Sequence, residues 1–210
     1  MSGLTLHGFR YSVYVRAVRL ALEERGLAYE MNEVNPFADA PELNPHPMNR
    51  VPVLDHGTFR LHETAAILTY VARAFPGPPL IPEEAAAQAR MVQVQGITDA
   101  YAYWPMVRLV YSAGVFAPAL GQERDGEAVA RGLAMAQPVL AMLETIAAEG
   151  RVLDGAGLTL ADLHLAPMIA AFTAAPEGYR ALAAHPALHG WWQAMVGRRS
   201  LARTDPGLPG

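Results

Sequence analysis

The sequence predicts a chain in two parts, an α/β domain ordered βαβ and then ββα, followed by an all-α helical bundle. Three observations predict it. Short period-two runs alternate with period-3.6 segments up to Phe75, the stretch Pro76-Gly77-Pro78-Pro79 interrupts the pattern, and from Glu83 on the texture is long, Ala-rich and helical with no convincing strand. The expected boundaries are residues 1–76 for the α/β domain, 77–82 for a linker and 83–210 for the helical domain.

Leu4-Thr5-Leu6 alternates as a short strand does, and after the turn Gly8-Phe9-Arg10-Tyr11 a helix is expected from Ser12 to Arg25. Its apolar face carries Tyr14, Ala17, Val18, Ala21 and Leu22, and Arg16, Arg19 and Glu23 share the opposite face, with Arg19 and Glu23 spaced as an i,i+4 ion pair. Gly26 is placed to end the helix, and Tyr29 to Val34 reads as a second strand. The turn formers Asn44-Pro45-His46-Pro47-Met48-Asn49 then lead into Val51-Pro52-Val53-Leu54, which is expected to pair antiparallel with Thr58-Phe59-Arg60-Leu61 across Asp55-His56-Gly57. Thr64 to Phe75 is helical and stops at the prolines. In the second part, Val129, Leu133, Ala136, Leu140 and Leu143 form one packed helix face. Thr159 and Asp162 have the spacing of a capping box before Leu163, with Leu158 placed to staple against it.

Composition narrows the function. With 52% apolar and 17% charged residues the 210-residue chain is globular, and a net charge of −4 supplies no field for collecting phosphates, so nucleic acid is not an expected partner. No stretch approaches the roughly 18 apolar residues of a membrane span, and Met1 to Thr5 lacks a basic segment followed by an apolar one, so a soluble cytoplasmic protein is expected. The chain has no cysteine, which removes disulfides, Cys-based zinc sites and any protein thiol as nucleophile or redox centre.

Four segments in this order, Ser12-Val13-Tyr14-Val15-Arg16, Arg50-Val51-Pro52-Val53-Leu54, Glu63-Thr64-Ala65-Ala66-Ile67 and the Thr159 to Asp162 box, resemble the glutathione S-transferase family over nearly the whole chain. The likeness is to its bacterial-type, serine-activated, theta- and phi-like members. The resemblance implies a thioredoxin-like N-terminal domain that binds glutathione, a helical domain behind it, and a detoxifying homodimer that conjugates glutathione to a small hydrophobic electrophile. Glutathione enters as co-substrate, with no metal.

Glutathione carries an ammonium, two carboxylates and a thiol, so its site needs an acceptor, donors, backbone pairing for the central peptide and a group that favours thiolate. By resemblance, Glu63 and Thr64 hold the γ-glutamyl end, helped by the helix dipole that starts there. Pro52 matches the family's cis-proline, which turns the Val51 backbone outward to pair with the cysteinyl unit, and Arg50 lies near the glycine carboxylate, with His46 a second candidate for it. Asn49 stands where the family often has Gly, and Asn is the next best residue for a left-handed turn. Ser12, at the first turn of its helix, is the expected thiolate donor, with Tyr11 and Tyr14 as rivals and Tyr14 read as core-facing. Phe9, Tyr103 and Trp104 are candidates for the electrophile pocket.

Plainer readings stand beside these. Taken singly, Ser12 is a helix N-cap, Glu63 a solvated charge and Arg50 a loop cation. Thr159 and Asp162 are assigned to structure. The aromatic cluster Tyr101, Tyr103, Trp104 and Tyr111 reads first as core or dimer packing, and the resemblance, given a two-fold dimer, implies that Asp99 reaches the ammonium of glutathione held by a partner subunit. His185 and His189 have i,i+4 spacing without completing a metal set, and neither His62-Glu63-Thr64 nor Gly155-Ala156-Gly157 completes a known motif. The missing cysteine excludes the thiol-reductase branches, which place one where Ser12 stands, while conjugation, isomerisation and peroxide reduction stay open. The alternatives are a glutathione-dependent isomerase or dehalogenase, and a non-catalytic binding or regulatory protein on the same fold.

Overall fold

The computed structural model describes residues 3–209; Met1, Ser2 and Gly210, the ends of the expected domains, lie outside them. The chain divides into two units, the first formed by Met1–Leu80 together with Arg199–Pro206, the second by Ile81–Arg198 with Gly207–Gly210. The division thus groups Arg199–Pro206 with the α/β unit, although the sequence placed everything after the linker in the helical domain.

In the first unit β1 (Leu4–Gly8), α1 (Val13–Glu24) and β2 (Glu30–Glu33) form the βαβ half, with β1 and β2 parallel. A hairpin of β3 (Val53–His56) and β4 (Phe59–His62) and the helix α2 (Thr64–Ala74) complete it, in a sheet ordered β2-β1-β3-β4. The hairpin loop is tighter than expected. Asp55 and His56 continue the strand, His56 pairs with Phe59, and only Gly57 and Thr58 remain in the turn. Gly57 has φ +59°, the value the first position of such a two-residue loop requires and a bulkier residue resists.

Alternation along the strands sends leucines to one sheet face and a row of polar side chains to the other. Leu4, Leu6 and Leu54 are buried, whereas Asn32, His7, Asp55 and Arg60, one from each strand, form a hydrogen-bonded chain with separations of 2.8 Å, 3.0 Å and a bidentate 2.7 Å. The Arg60 bonds hold the Asp55 carboxyl below the usual carboxylate range. Gly8, at the end of β1, lets α1 approach: a Cβ there would lie 2.4 Å from a Val15 methyl.

Helix α1 is buried almost all round. Val13, Val15 and Leu20 join Ala17, Val18, Ala21 and Leu22 in the core, while Tyr14 is only half-buried. Gly26 and Leu27 close the helix by donating to Glu23 and Leu22 in the Schellman pattern. Arg16, expected on the solvent face, is 9% exposed. Its cover is α9 (Arg199–Arg203), the returning segment, whose Leu201 carbonyl accepts from Arg16 at 2.9 Å. Arg19 donates to Tyr29 and to the Thr204 carbonyl, and Glu23 pairs with Arg203, so the expected Arg19–Glu23 pair gives way to these contacts.

The second unit opens with α3 (Ala85–Ile97), which runs into a π-helical segment, Thr98–Phe116, and the short α4 (Ala117–Ala119). The wide winding is seen where Ala117 donates to the Ser112 carbonyl five residues back. Then come α5 (Gly126–Ala148), α6 (Leu160–Ala174), α7 (Pro176–Ala183) and α8 (Pro186–Val196). Val129, Ala136, Leu140 and Leu143 are buried on α5 as their spacing predicts, with Leu133 half-buried. The capping box of α6 forms, and Asp162 also accepts the indole N–H of Trp191 from α8 at 2.7 Å. The aromatic cluster departs from a core reading, since Tyr101 is 57% and Trp104 56% exposed. No helix among the described residues is long and apolar enough to cross a membrane.

Candidate functional site

Two groups of side chains gather in the first unit, one at the start of α1 and one in the loop before β3. Ser12 is the N-cap of α1, with extended backbone, and its Oγ accepts the Val15 N–H at 3.4 Å, a long bond. That bond uses the oxygen as acceptor and leaves the hydroxyl proton uncommitted among the described residues. Beside it Phe9 packs edge to face on Tyr11, with ring centres 5.3 Å apart, and on Phe37 at 6.3 Å. Phe37 is a member of this cluster that the sequence did not single out. Its signal was indirect, a single aromatic residue in the loop after β2.

The second group is built by side chains that serve the backbone. Asn44 is buried, accepts the His46 N–H through Oδ1 at 3.0 Å, and donates through Nδ2 to Asn49 Oδ1 at 2.9 Å and the Arg50 carbonyl at 3.1 Å. Asn49 adopts φ +48°, the left-handed conformation expected of it, and ties to the Pro36 carbonyl next to Phe37. The Val51–Pro52 peptide bond is cis. Among the described residues no hydrogen bond engages the Val51 backbone or the exposed Arg50 guanidinium.

His46 is buried, and its Nδ1 accepts the Met48 N–H at 3.0 Å, which places the ring proton on Nε2. That nitrogen lies 3.9 Å from a Glu63 carboxylate oxygen, and the His62 ring packs edge-on at 4.9 Å. Burial pushes the His46 imidazole below its ordinary value, the nearby His62 and Arg50 push the same way, and Glu63 opposes them.

Glu63 and Thr64 form the start of α2. Glu63 has φ +71°, a region that side chains other than glycine seldom occupy and that often marks a functional turn. Its side chain makes no cap to the helix, so the first amides of α2 keep their donors, and the Thr64 hydroxyl has no hydrogen-bond partner among the described residues. The structure therefore brings His46, His62 and Glu63 within contact range and joins Asn44, Asn49 and Arg50 in the same loop.

In the second unit Asp99 is half-exposed on the π-helical segment and sits 2.9 Å from the Nε2 of wholly buried His164 on α6. Tyr103 is half-buried and Trp104 exposed. His185 precedes α8 and lies 3.0 Å from the Ala181 carbonyl, while His189 packs against Tyr179. The described residues contain no group of three or more side chains arranged to hold a metal ion.

These features have close parallels. A family model described as the N-terminal domain of glutathione S-transferase matches residues 6–79, and one described as its C-terminal domain matches residues 126–194. Glutathione S-transferase 4 of Zea mays is 32% identical over 209 residues, covering 97% of this chain and 92% of its own. A glutathione S-transferase of Pseudomonas putida is 34% identical over 165 residues, 76% of this chain and 70% of its own. Among solved structures, glutathione S-transferase III in apo form superposes with a TM-score of 0.83 at 27% identity, over 99% of both chains. Glutathione S-transferase I bound with lactoylglutathione superposes with a TM-score of 0.80 at 28% identity, over 96% of this chain and 98% of that one. With both domain models matched in order and relatives alike across almost its whole length, the chain belongs to the glutathione S-transferase family.

Proposed function

We propose that the protein is a cytoplasmic glutathione transferase in which the Ser12 hydroxyl stabilises the glutathione thiolate for attack on a small apolar electrophile. The observation that carries this reading is the state of Ser12, whose oxygen accepts a helix amide while its proton stays available to a ligand. A free thiol ionises at about 8.5, and a hydroxyl donor at a helix N-terminus favours the charged form, so a larger fraction is thiolate at neutral pH. The thiol proton leaves to solvent. The sulfur lone pair then forms the new bond to carbon, and the leaving group departs with its bonding electrons.

In this reading Glu63 accepts the γ-glutamyl ammonium, the Thr64 hydroxyl and the open amides of α2 take its carboxylate, and Val51 offers its backbone to the cysteinyl unit beside Pro52. Arg50, exposed and uncommitted, takes the glycine carboxylate in preference to buried His46. Phe9 and Tyr11, with Phe37, supply an aromatic surface beside Ser12 for the electrophile. A homodimer belongs to the same proposal, supported by exposed Val92, Tyr101 and Trp104 along α3 and the π-helical segment.

The test is retention on immobilised glutathione followed by an electrophile panel. Glu63→Ala removes a charge-assisted contact and should weaken glutathione binding by about tenfold or more. Undiminished retention of that variant would overturn the assigned site.

A further inference from the structure

We infer that neutral His46 is the latch of the loop that presents Arg50 and Val51, so that its protonation releases glutathione. The inference rests on the glutathione site proposed above and adds a positioning residue and a control to it.

The latch is visible in the direction of each hydrogen bond. Residues 44–50 have no regular structure after the short 3₁₀ turn at Pro41–Leu43, so side chains must set their course. Met48 N–H donates to His46 Nδ1 at 3.0 Å, the Asn49 N–H to the His46 carbonyl at 3.0 Å, and the His46 N–H to Asn44 Oδ1 at 3.0 Å. Asn44 closes the ring by donating to Asn49 Oδ1 and to the Arg50 carbonyl. In this ring the imidazole is an acceptor. Protonation would place an N–H on Nδ1 against the Met48 N–H, two donors face to face, with no second acceptor on the ring to take over. The loop then loses the bond that fixes its bend immediately before Arg50 and Val51.

The charged and titratable groups facing His46 are His62 at the end of β4, Glu63 at the start of α2 and Arg50 in the loop itself. Burial is the largest influence on the ring and disfavours its charged form, with His62 and Arg50 adding to it against Glu63. The folded protein therefore keeps His46 neutral below the ordinary imidazole value of about 6.5. The latch is complete above that value and is lost as pH falls through the lower one.

S-methylglutathione is the probe, because its blocked sulfur removes thiol ionisation from the measurement and its other groups hold their charges through this range. For the wild-type chain the dissociation constant should stay level between about pH 7.5 and about pH 6.5, then rise by about tenfold towards pH 5, the loss of one hydrogen bond. His46→Asn places an amide oxygen where Nδ1 stands and cannot titrate, so its binding should not vary with pH; His46→Gln puts its oxygen one atom too far and should bind weakly throughout. Level binding by the wild type down to about pH 5, or an equal pH dependence in His46→Asn, would overturn the inference. Amide hydrogen exchange at Met48 in the ligand-free protein separates the two readings. Protection at neutral pH that vanishes on acidification only in the wild type establishes the latch, and if S-methylglutathione then fails to bind at any pH, it is the glutathione site that falls. An unprotected Met48 amide at neutral pH would overturn the latch.

Discussion

At Ser12 one oxygen accepts the Val15 amide and still carries its own proton, so helix capping and ligand binding do not compete for the same lone pair. The phenol of Tyr11 is a rival donor, and its ring is engaged edge-on with Phe9. Tyr11→Phe should therefore leave turnover within about threefold of the wild type, as expected for a group outside the thiolate's hydrogen bonds; a loss of two orders of magnitude would hand Tyr11 the role instead. The position of Ser12 before an amphipathic helix, and of Glu63-Thr64 before the next, was legible because helix starts have local chemistry. The service of Asn44 and His46 to the backbone was not, since composition marks residues 44–49 only as turn formers and says nothing about which side chain closes which bend. The positive φ of Glu63 was also hidden, because glutamate carries no propensity for it.

Among the elements, the helix ends carry much of the second unit's specificity. Asp162 accepts from the Thr159 backbone and hydroxyl, each at 2.6 Å, and from Trp191, so it fixes the start of α6 and the face of α8 together. Burial raises its carboxyl above the usual range, and those three donors pull against that. Asp162→Ala would strand a buried indole N–H and a helix-end amide, and should cost about 3 kcal/mol or more, read as a lower denaturant midpoint at unchanged slope. A loss under about 1 kcal/mol would mean water replaces the carboxylate. The Thr159–Asp162 spacing announced the capping box, but Trp191 lies 29 residues further on and no local pattern links the two. Glu144 shows the same limit. It lies on α5, and its two oxygens accept the Ala187 and Leu188 amides and cap α8 from a neighbouring helix. Likewise the hairpin turn was read one residue too wide, because Asp55 and His56 are poor strand formers that pairing with Arg60 and Phe59 keeps in the sheet.

At the scale of the whole molecule, the α/β unit is completed by the far end of the chain. Arg16 reaches Leu201 across 185 positions, Asp205 lies 3.6 Å from the same guanidinium, and Ser200 donates to Glu24. Sequence periodicity put Arg16 on a solvent face because it sees only its own helix, and here the covering element comes from the other end of the chain. Removing residues 199–210 should uncover the face of α1 that carries Arg16 and leave its guanidinium to solvent, at a cost of about 2–3 kcal/mol from lost apolar burial and hydrogen bonds. Faster amide exchange along α1 checks it. Arg16→Met, which removes the charge and keeps the stem, should cost less than the truncation, and equal costs would mean that charge, not packing, holds the segment.

The central claim is that Ser12 promotes the ionisation of the bound glutathione thiol. The pH dependence of kcat/KM, measured for the wild type and Ser12→Ala with glutathione affinity and thermal stability followed in parallel, tests it most directly. The account predicts a wild-type profile that rises well below the free thiol value of about 8.5, and a variant whose profile moves up towards it while turnover at neutral pH falls by about 10- to 100-fold with glutathione still bound. A variant with the wild-type profile and undiminished turnover would contradict it.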